Sequence, residues 1–163
     1  MLRQVRELIL VPLLVLAACT KEAAPAPAPA PAPTAEKKAA PAADNYALSI
    51  EARAPYTAGK EALAAITVSA KNGFHVNPDY PVAFKPEGFE AVKFAEERVR
   101  LQPGQKTPCA EKAEDACTVE FPLALTPEKA GPAKVAGVLA FSVCSADKCL
   151  IEKVPLSLAL TVE

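Results

Sequence analysis

VLAFSVCSADKCLIEKV, residues 138–154, contains two apolar, β-branched runs separated by a short polar turn. Such runs on either side of a turn predict a β-hairpin. Cys144 and Cys149 flank the turn, so they face each other if the two strands are antiparallel neighbours. Directly opposed residues in such a pair have Cα atoms about 4.5–5.5 Å apart, which is within range of a disulfide. The stretch therefore predicts a hairpin that a small ring closes at its end.

The same period-two pattern extends through residues 44–163. Apolar residues alternate with polar or small ones in several segments, for example at Tyr46, Leu48 and Ile50, and at Val119, Phe121 and Leu123. Runs of this period, broken by Pro, Gly and Asn, are typical of antiparallel sheet. About eight of them predict an all-β, immunoglobulin-like antiparallel β-sandwich. Residues 110–116 and 127–130 are short helix candidates. Pro122 and Pro155 interrupt strand-like runs, so we expect both at sheet edges or bulges.

The beginning of the chain has the pattern of an export signal. Arg3 and Arg6 precede an apolar run over residues 8–18, which is too short to cross a bilayer as a helix. The run ends in Leu-Ala-Ala-Cys, residues 16–19, which resembles the lipobox of bacterial lipoproteins. We therefore predict a lipoprotein signal peptide over residues 1–18 and lipidation of Cys19. The alternative is an ordinary secretory signal with a chance cysteine.

The predicted domain organisation has three parts. After the signal peptide, residues 19–43 are an Ala/Pro-rich segment that lacks core-forming side chains, so it is predicted to be an extended, disordered linker. Residues 44–163 form a single β-sandwich domain, long enough to bury a core. The expected location is the bacterial cell envelope, lipid-anchored and facing the periplasm. Thr20, where some bacteria use Asp as an inner-membrane retention signal, favours the outer membrane.

The net charge and the lack of several sequence motifs limit the classes of partner that we expect. Cleavage removes Arg3, Arg6 and Glu7, which changes the formal charge from −1 to −2. Without a basic patch, nucleic acid is not an expected partner. The sequence also lacks a phosphate-binding glycine loop, a nucleophile elbow and any paired-carboxylate motif. We therefore expect no cofactor, no metal and no small-molecule substrate.

The four cysteines after Cys19 carry the functional hypothesis. An even number in an exported chain predicts disulfides, and local pairing, Cys109 with Cys117 and Cys144 with Cys149, closes the shortest loops. A zinc site is disfavoured because the first pair has a seven-residue spacer. Cys109–Cys117 is interpreted as structural; the alternatives are that it shields the other pair or exchanges with it.

Spacing alone leaves two interpretations of the Cys144–Cys149 pair. It is either a bond that pins the hairpin or a reactive disulfide, because small exposed rings in tight turns are often easily reduced. Lys148 beside Cys149 favours a thiolate, whereas Asp147 opposes it. His75, the only histidine, is either a packed strand residue or a proton donor and acceptor beside the disulfide.

Residues from about 46 to 158 resemble the amino-terminal periplasmic domain of the thiol:disulfide interchange protein DsbD. Lys-Asn-Gly-Phe-His-Val-Asn, residues 71–77, resembles that family's Asp-Gly-aromatic-aromatic strand. Phe-Ser-Val-Cys, residues 141–144, and Cys-Leu-Ile-Glu-Lys-Val-Pro-Leu, residues 149–156, resemble its two-cysteine hairpin. The loop between the cysteines is one residue shorter here. The region matching the family's cap loop, residues 96–116, lacks the aromatic that shields the family's disulfide.

The resemblance implies an immunoglobulin-like fold and a redox-active Cys144–Cys149 pair. It further implies that Cys149 forms the mixed disulfide with partners and that Cys144 resolves it. Phe74 and His75 fall where the family places aromatics beside the active site, so Phe74, with Lys148, is a candidate for partner binding.

The predicted function is a lipid-anchored periplasmic exchange module that passes reducing equivalents through Cys144–Cys149. If the module is active, it is a thiol:disulfide oxidoreductase. Its expected partners are thioredoxin-like or other envelope redox proteins, besides the membrane that holds the lipid on Cys19. The alternative is a non-catalytic binding or scaffolding lipoprotein that uses the same sandwich and whose disulfides are purely structural.

Overall fold

The computed structural model describes residues 37–39, 43–77, 79–110, 112 and 115–163. Within these ranges the chain forms eleven strands and no helix. The predicted signal peptide, Cys19 and most of the predicted linker lie outside the described residues. Lys37–Ala39, a short strand inside the predicted linker, pairs with the beginning of the folded domain.

The strands follow one another along the chain with antiparallel pairing throughout. Their bounds are β1 Lys37–Ala39, β2 Tyr46–Arg53, β3 Ala62–Ala70, β4 His75–Val76, β5 Ala83–Pro86, β6 Val92–Lys93, β7 Val99–Arg100, β8 Lys106–Pro108, β9 Ala116–Pro127, β10 Gly131–Cys144 and β11 Cys149–Val162.

Two rows of strands make up the domain. One row has the order β1-β2-β3-β9, with β6 and β8 also paired to β9, and the other has the order β11-β10-β5-β7. The two-residue strand β4 pairs with β9 on one side and with β10 on the other, so it joins the rows at one corner. The predicted all-β sandwich is confirmed.

The core lies between the rows and follows the alternation in the sequence. Leu139, Phe141 and Val143 are fully buried on the inner face of β10, and Phe141 meets the ring of Tyr46 edge-on with 5.0 Å between ring centroids. Ile66 on β3 is equally buried. The register of β10 therefore determines which of its side chains face away from the core, because a one-residue slip would move the whole apolar set out of the core.

Both interrupting prolines lie where no ladder hydrogen bond is lost. Pro155 is on β11, for which β10 is the only paired strand among those described. On β9, Glu120 exchanges backbone hydrogen bonds with Gly104 and Gln105, which lie outside any strand. Pro122, two residues further on, directs its ring nitrogen to that same side and away from β3. The prediction of edge-facing prolines is confirmed.

The two short helix candidates are wrong. Within the described residues, 127–130 end β9 and turn into β10, and 110–116 contain no helical residue. The second result has a simple cause. The disulfide holds the Cα atoms of Cys109 and Cys117 4.7 Å apart, whereas a helix rises about 1.5 Å per residue and would drive these ends apart.

Candidate functional site

The hairpin of β10 and β11 carries the predicted disulfide at its tip. Their register continues without a break from the pair Gly131–Val162 to the pair Cys144–Cys149. Cys144 and Cys149 are bonded, with Cα atoms 4.0 Å apart, and Cys109–Cys117 is bonded as well. Both predicted local pairings are therefore confirmed.

Hydrogen bonds within the turn order its four residues. The backbone N–H of Ser145 donates to the carbonyl oxygen of Lys148 at 2.8 Å, and the N–H of Asp147 donates to the Ser145 hydroxyl oxygen at 3.3 Å. The predicted partner-binding residue Lys148 is exposed in this turn. The tip of the hairpin is thus held by its own backbone as well as by the disulfide.

The two bonded cysteines differ in exposure. Cys144 is only 6% exposed, whereas Cys149 is an exposed residue. The strand pairing explains this difference. At its last residues β10 lies between β11 and β4, while β11 has no described strand on its other side. Cys149 is therefore the more accessible residue of the bonded pair.

His75 lies beside Cys144. The register of β4 and β10 pairs His75 with Cys144 and Val76 with Val143. Directly opposed residues place their side chains on the same face of a sheet, with Cβ atoms about 4.5–5.5 Å apart. His75, Cys144 and Cys149 therefore form a continuous row across β4, β10 and β11.

A tight turn sets the position of His75. Asn72 and Gly73 both have positive φ, at 52° and 78°, and the N–H of Phe74 donates to the carbonyl oxygen of Lys71 at 3.1 Å. Asn-Gly is the pair that accepts this left-handed geometry with least strain. The turn ends one residue before β4, so the sequence itself fixes which residue stands opposite Cys144.

The second disulfide lies on the other side of His75. Val76 pairs with Ala116 on β9, and the neighbouring Cys117 has its Sγ 3.9 Å from the carbonyl oxygen of Phe74. The Asp115 carboxylate contacts the His75 imidazole, with 3.4 Å between Oδ2 and Nδ1, and each of these side chains is 24% exposed. The structure thus brings His75 between the two disulfides.

A cleft of about 390 Å³ opens at this place. Its lining includes the second disulfide, the Asn-Gly turn and one residue of the hairpin tip, namely Ala70, Lys71, Asn72, Gly73, Phe74, His75, Cys109, Ala110, Lys112, Asp115, Cys117 and Ala146. Phe74, the other predicted partner-binding residue, is half-buried against the core and contributes to this wall. A segment of a partner that lies in the cleft would contact the second disulfide, His75 and the hairpin turn at Ala146.

Two further residues near the hairpin tip are not suggested by any motif. Ile151 is 62% exposed, and it lies two residues after Cys149 on the same face of β11. Opposite it on β10, the Ser142 hydroxyl is buried and has no hydrogen-bond partner within the described residues. Strand alternation already places Ile151 beside Cys149, so this exposure was predictable. The missing hydrogen-bond partner of the Ser142 hydroxyl among the described residues was not predictable from the sequence.

Two tyrosines elsewhere have perturbed ionisation. Burial raises the pKa of Tyr46, and the Glu152 carboxylate, 3.5 Å from its hydroxyl, raises it further. Burial likewise raises the pKa of Tyr56, whose hydroxyl donates to the carbonyl oxygen of Leu63 and accepts from the N–H of Arg53. Both hydroxyls therefore stay protonated and help to fix β2 against its neighbours.

The described residues contain no group of three or more His, Cys, Asp or Glu side chains placed to hold a metal ion. No helix in this part of the chain is long and apolar enough to span a bilayer. Comparisons with protein-family models, with curated proteins and with solved structures found no match. The resemblance to the DsbD amino-terminal domain therefore depends on the residues quoted above and stays a prediction.

Proposed function

We propose that this domain is a thiol–disulfide exchange module that works through Cys144 and Cys149. The observation that carries the proposal is the unequal exposure of the two bonded residues, with Cys149 open to solvent and Cys144 covered. Exchange requires a thiolate to attack one sulfur in line with the S–S bond while the other sulfur leaves. An exposed first sulfur and a sheltered second one suit that sequence of events.

Reduction of the module begins when a partner thiolate attacks Sγ of Cys149 and Cys144 leaves as a thiolate. The partner's second thiolate then attacks its own first sulfur, which frees Cys149 and leaves the partner with a disulfide. Two electrons and two protons pass to the module. In the opposite direction Cys149 attacks an oxidised target, and Cys144 resolves the mixed disulfide by attacking Sγ of Cys149. These roles agree with those that the DsbD resemblance implies.

A purely structural bond is less well supported at this position. The ladder of β10 and β11 runs to the cysteine pair itself, and the turn has its own hydrogen bond between Ser145 and Lys148. Backbone hydrogen bonds therefore hold the hairpin together with the disulfide, which adds one small ring. This pairing supports the proposal that the bond opens while the sandwich stays folded, as exchange requires.

The proposed setting comes from the sequence. Lipidation of Cys19 would hold the module at the envelope membrane, and residues 20–43 would carry it away from the lipid. Thioredoxin-like or other envelope redox proteins are the proposed partners, because they present a thiolate or a disulfide at an exposed site. Ile151 is an exposed apolar residue beside Cys149. It supports contact with such a protein, because exposed apolar surface often marks an interaction site.

Covalent trapping tests the proposal. In a Cys144→Ser chain the resolving sulfur is gone, so Cys149 should accumulate as a mixed disulfide with envelope redox proteins, which mass spectrometry can identify. Cys117→Ser, which frees Cys109 instead, is the matched control and should trap far less. Absence of Cys149 adducts under both oxidising and reducing conditions would contradict the proposal. That result would favour the alternative of a non-catalytic binding lipoprotein, for which Ile151 and the cleft would still provide a surface.

A further inference from the structure

Asp115, a carboxylate that no sequence motif indicates, lies close to the proposed reactive pair. Asp115 contacts His75 through Oδ2 and Nδ1, and His75 is the direct cross-strand neighbour of Cys144. The contact engages Nδ1, which leaves Nε2 as the ring nitrogen that can exchange a proton with a sulfur. Asp115 thus contacts His75, and His75 is the cross-strand neighbour of the bonded Cys144.

The backbone of Asp115 is fixed on both sides. Its carbonyl oxygen accepts a hydrogen bond from the N–H of Cys109 at 2.8 Å, and its own N–H donates to the carbonyl oxygen of Lys112 at 3.1 Å. The Cys109–Cys117 disulfide closes the ring that contains Asp115. The carboxylate thus lies in a loop that this disulfide closes, although neither sulfur takes part in the contact with His75.

We propose that Asp115 is a positioning residue that, held by the Cys109–Cys117 ring, orients His75 to exchange a proton with the Cys144 sulfur. This inference rests on the proposed exchange function, for which it supplies the proton step. It also gives the second disulfide a role in the chemistry of the first, without any exchange between the two.

The proton balance is simple. In the resolving direction the Cys144 thiol gives its proton to Nε2 of His75, and the resulting thiolate attacks Sγ of Cys149 while the target's thiolate leaves. In the opposite direction Cys144 leaves as a thiolate and recovers the proton from the imidazolium. The Asp115 carboxylate, 3.4 Å from Nδ1, stabilises the imidazolium. Activation of a thiol by an imidazole that a third group orients is an established arrangement for nucleophilic cysteines.

Other charges surround the row and must be held constant in a test. Lys71 and Lys112 line the cleft, and Asp147 and Lys148 lie in the hairpin turn. Asp115 is the charged residue in contact with His75, with 3.4 Å between Oδ2 and Nδ1. Variants that change only Asp115 or His75 therefore isolate the proposed coupling from the general electrostatic field.

The test is a thiolate titration in a Cys149→Ser chain, in which Cys144 is the one free thiol of the folded domain. Ultraviolet absorbance follows ionisation of Cys144 against pH without any partner. Loss of a neighbouring imidazolium should move the midpoint upward by about one pH unit or more in His75→Gln. Asp115→Asn should move it in the same direction by less. The Cys109→Ser, Cys117→Ser double change should reproduce the Asp115→Asn shift.

Glu128→Gln is the matched control, because Glu128 forms an ion pair of similar length with Lys93 at another site. A midpoint in His75→Gln that equals the control would overturn the proposal, as would an Asp115→Asn midpoint equal to that of Glu128→Gln. His75 is the only histidine, so its imidazole resonance gives a second readout in any folded variant. That resonance should shift as Cys144 ionises, and a resonance that ignores Cys144 would also contradict the coupling.

The result is distinguishable from a failure of the proposed function. The titration needs neither a partner nor electron transfer. A shifted midpoint together with no trapped adducts would reject exchange with proteins and keep the coupling. Trapped adducts together with an unmoved midpoint would support exchange with proteins and reject the coupling.

Discussion

The two disulfides lie on either side of His75 but differ in the regularity of their strand pairing and in their exposure. Cys144 and Cys149 end a regular ladder, directly opposite each other, with one residue covered and one exposed. Cys109 and Cys117 bracket a charged loop where the pairing of β8 and β9 shifts register, and both are half-buried. Both bonds join strands that are already paired, but the first ends a regular ladder, whereas the second follows a register shift between Thr107 and Pro108.

The difference teaches that two disulfides of similar ring size can lie in different surroundings within one domain. Both rings are small, and both lie beside the same cleft. The hairpin bond joins two strands that a long ladder also holds, whereas the loop bond closes the ring that contains Asp115. Under the proposed coupling the loop bond positions Asp115, so its reduction would alter the surroundings of the hairpin bond.

The largest effect on stability is expected at Gly137, where β10 packs closely against β5. A Cβ at Gly137 would collide with the carbonyl oxygen of Lys85 and the ring of Phe84 on β5, and a backbone contact cannot be relieved by rotating a side chain. We expect Gly137→Ala to lower the free energy of unfolding by about 3 kcal/mol, measured by denaturant titration under oxidising conditions.

Gly59→Ala is the control for that substitution. Gly59 has φ +73° but nothing within 4 Å of the added atom. Its change should cost only about 1 kcal/mol of backbone strain. Equal losses at the two positions would show that β10 and β5 are not packed as closely as described, which would weaken the case for a rigid frame under Cys144.

Removing each disulfide separately should lower stability by similar amounts. Loop-closure entropy assigns about 2–3 kcal/mol to each ring, since their lengths differ little. We therefore expect Cys144→Ser with Cys149→Ser, and Cys109→Ser with Cys117→Ser, to destabilise comparably in denaturant titrations. A hairpin bond that contributes much more than the loop bond would mean that the fold depends on it, and the comparison would then favour a structural role.

A smaller effect is expected at the exposed apolar residue beside Cys149. Ile151→Ser should slow reduction of Cys144–Cys149 by a partner protein about fivefold, because it removes about 1 kcal/mol of apolar contact. Reduction by a small dithiol should stay unchanged. Leu63→Ser, at a residue 46% exposed on β3, is the control and should affect neither rate. An equal loss with the small dithiol would show that Ile151 shapes the disulfide and does not contact partners.

The smallest effect concerns the isolated hydroxyl of Ser142, two residues before Cys144. A buried polar group without a hydrogen bond is destabilising, so Ser142→Ala should raise the free energy of unfolding by up to about 1 kcal/mol. Ser145→Ala is the contrasting change, because the Ser145 hydroxyl accepts a hydrogen bond from the turn. It should be neutral or slightly destabilising. A clear loss of stability in Ser142→Ala would mean that its hydroxyl has a partner after all.

Local patterns were sufficient for much of the fold and for part of the site. Alternation predicted β2, β9 and the hairpin, and the short spacings predicted both disulfides. Long-range pairing was not predictable in this way. The two-residue β4 is too short to show periodicity, yet its pairing with β9 and β10 is what places His75 between the disulfides. The contact between His75 and Asp115 follows from that pairing and from a loop whose sequence suggested a helix.

The most direct test of the central claim is the reduction potential of each disulfide in one sample, measured by equilibration in thiol buffers, alkylation and mass spectrometry. The account predicts that Cys144–Cys149 equilibrates at about −200 mV, within the range of redox carriers, while Cys109–Cys117 stays oxidised there. A potential for Cys144–Cys149 below about −300 mV, level with an inert structural bond, would contradict it.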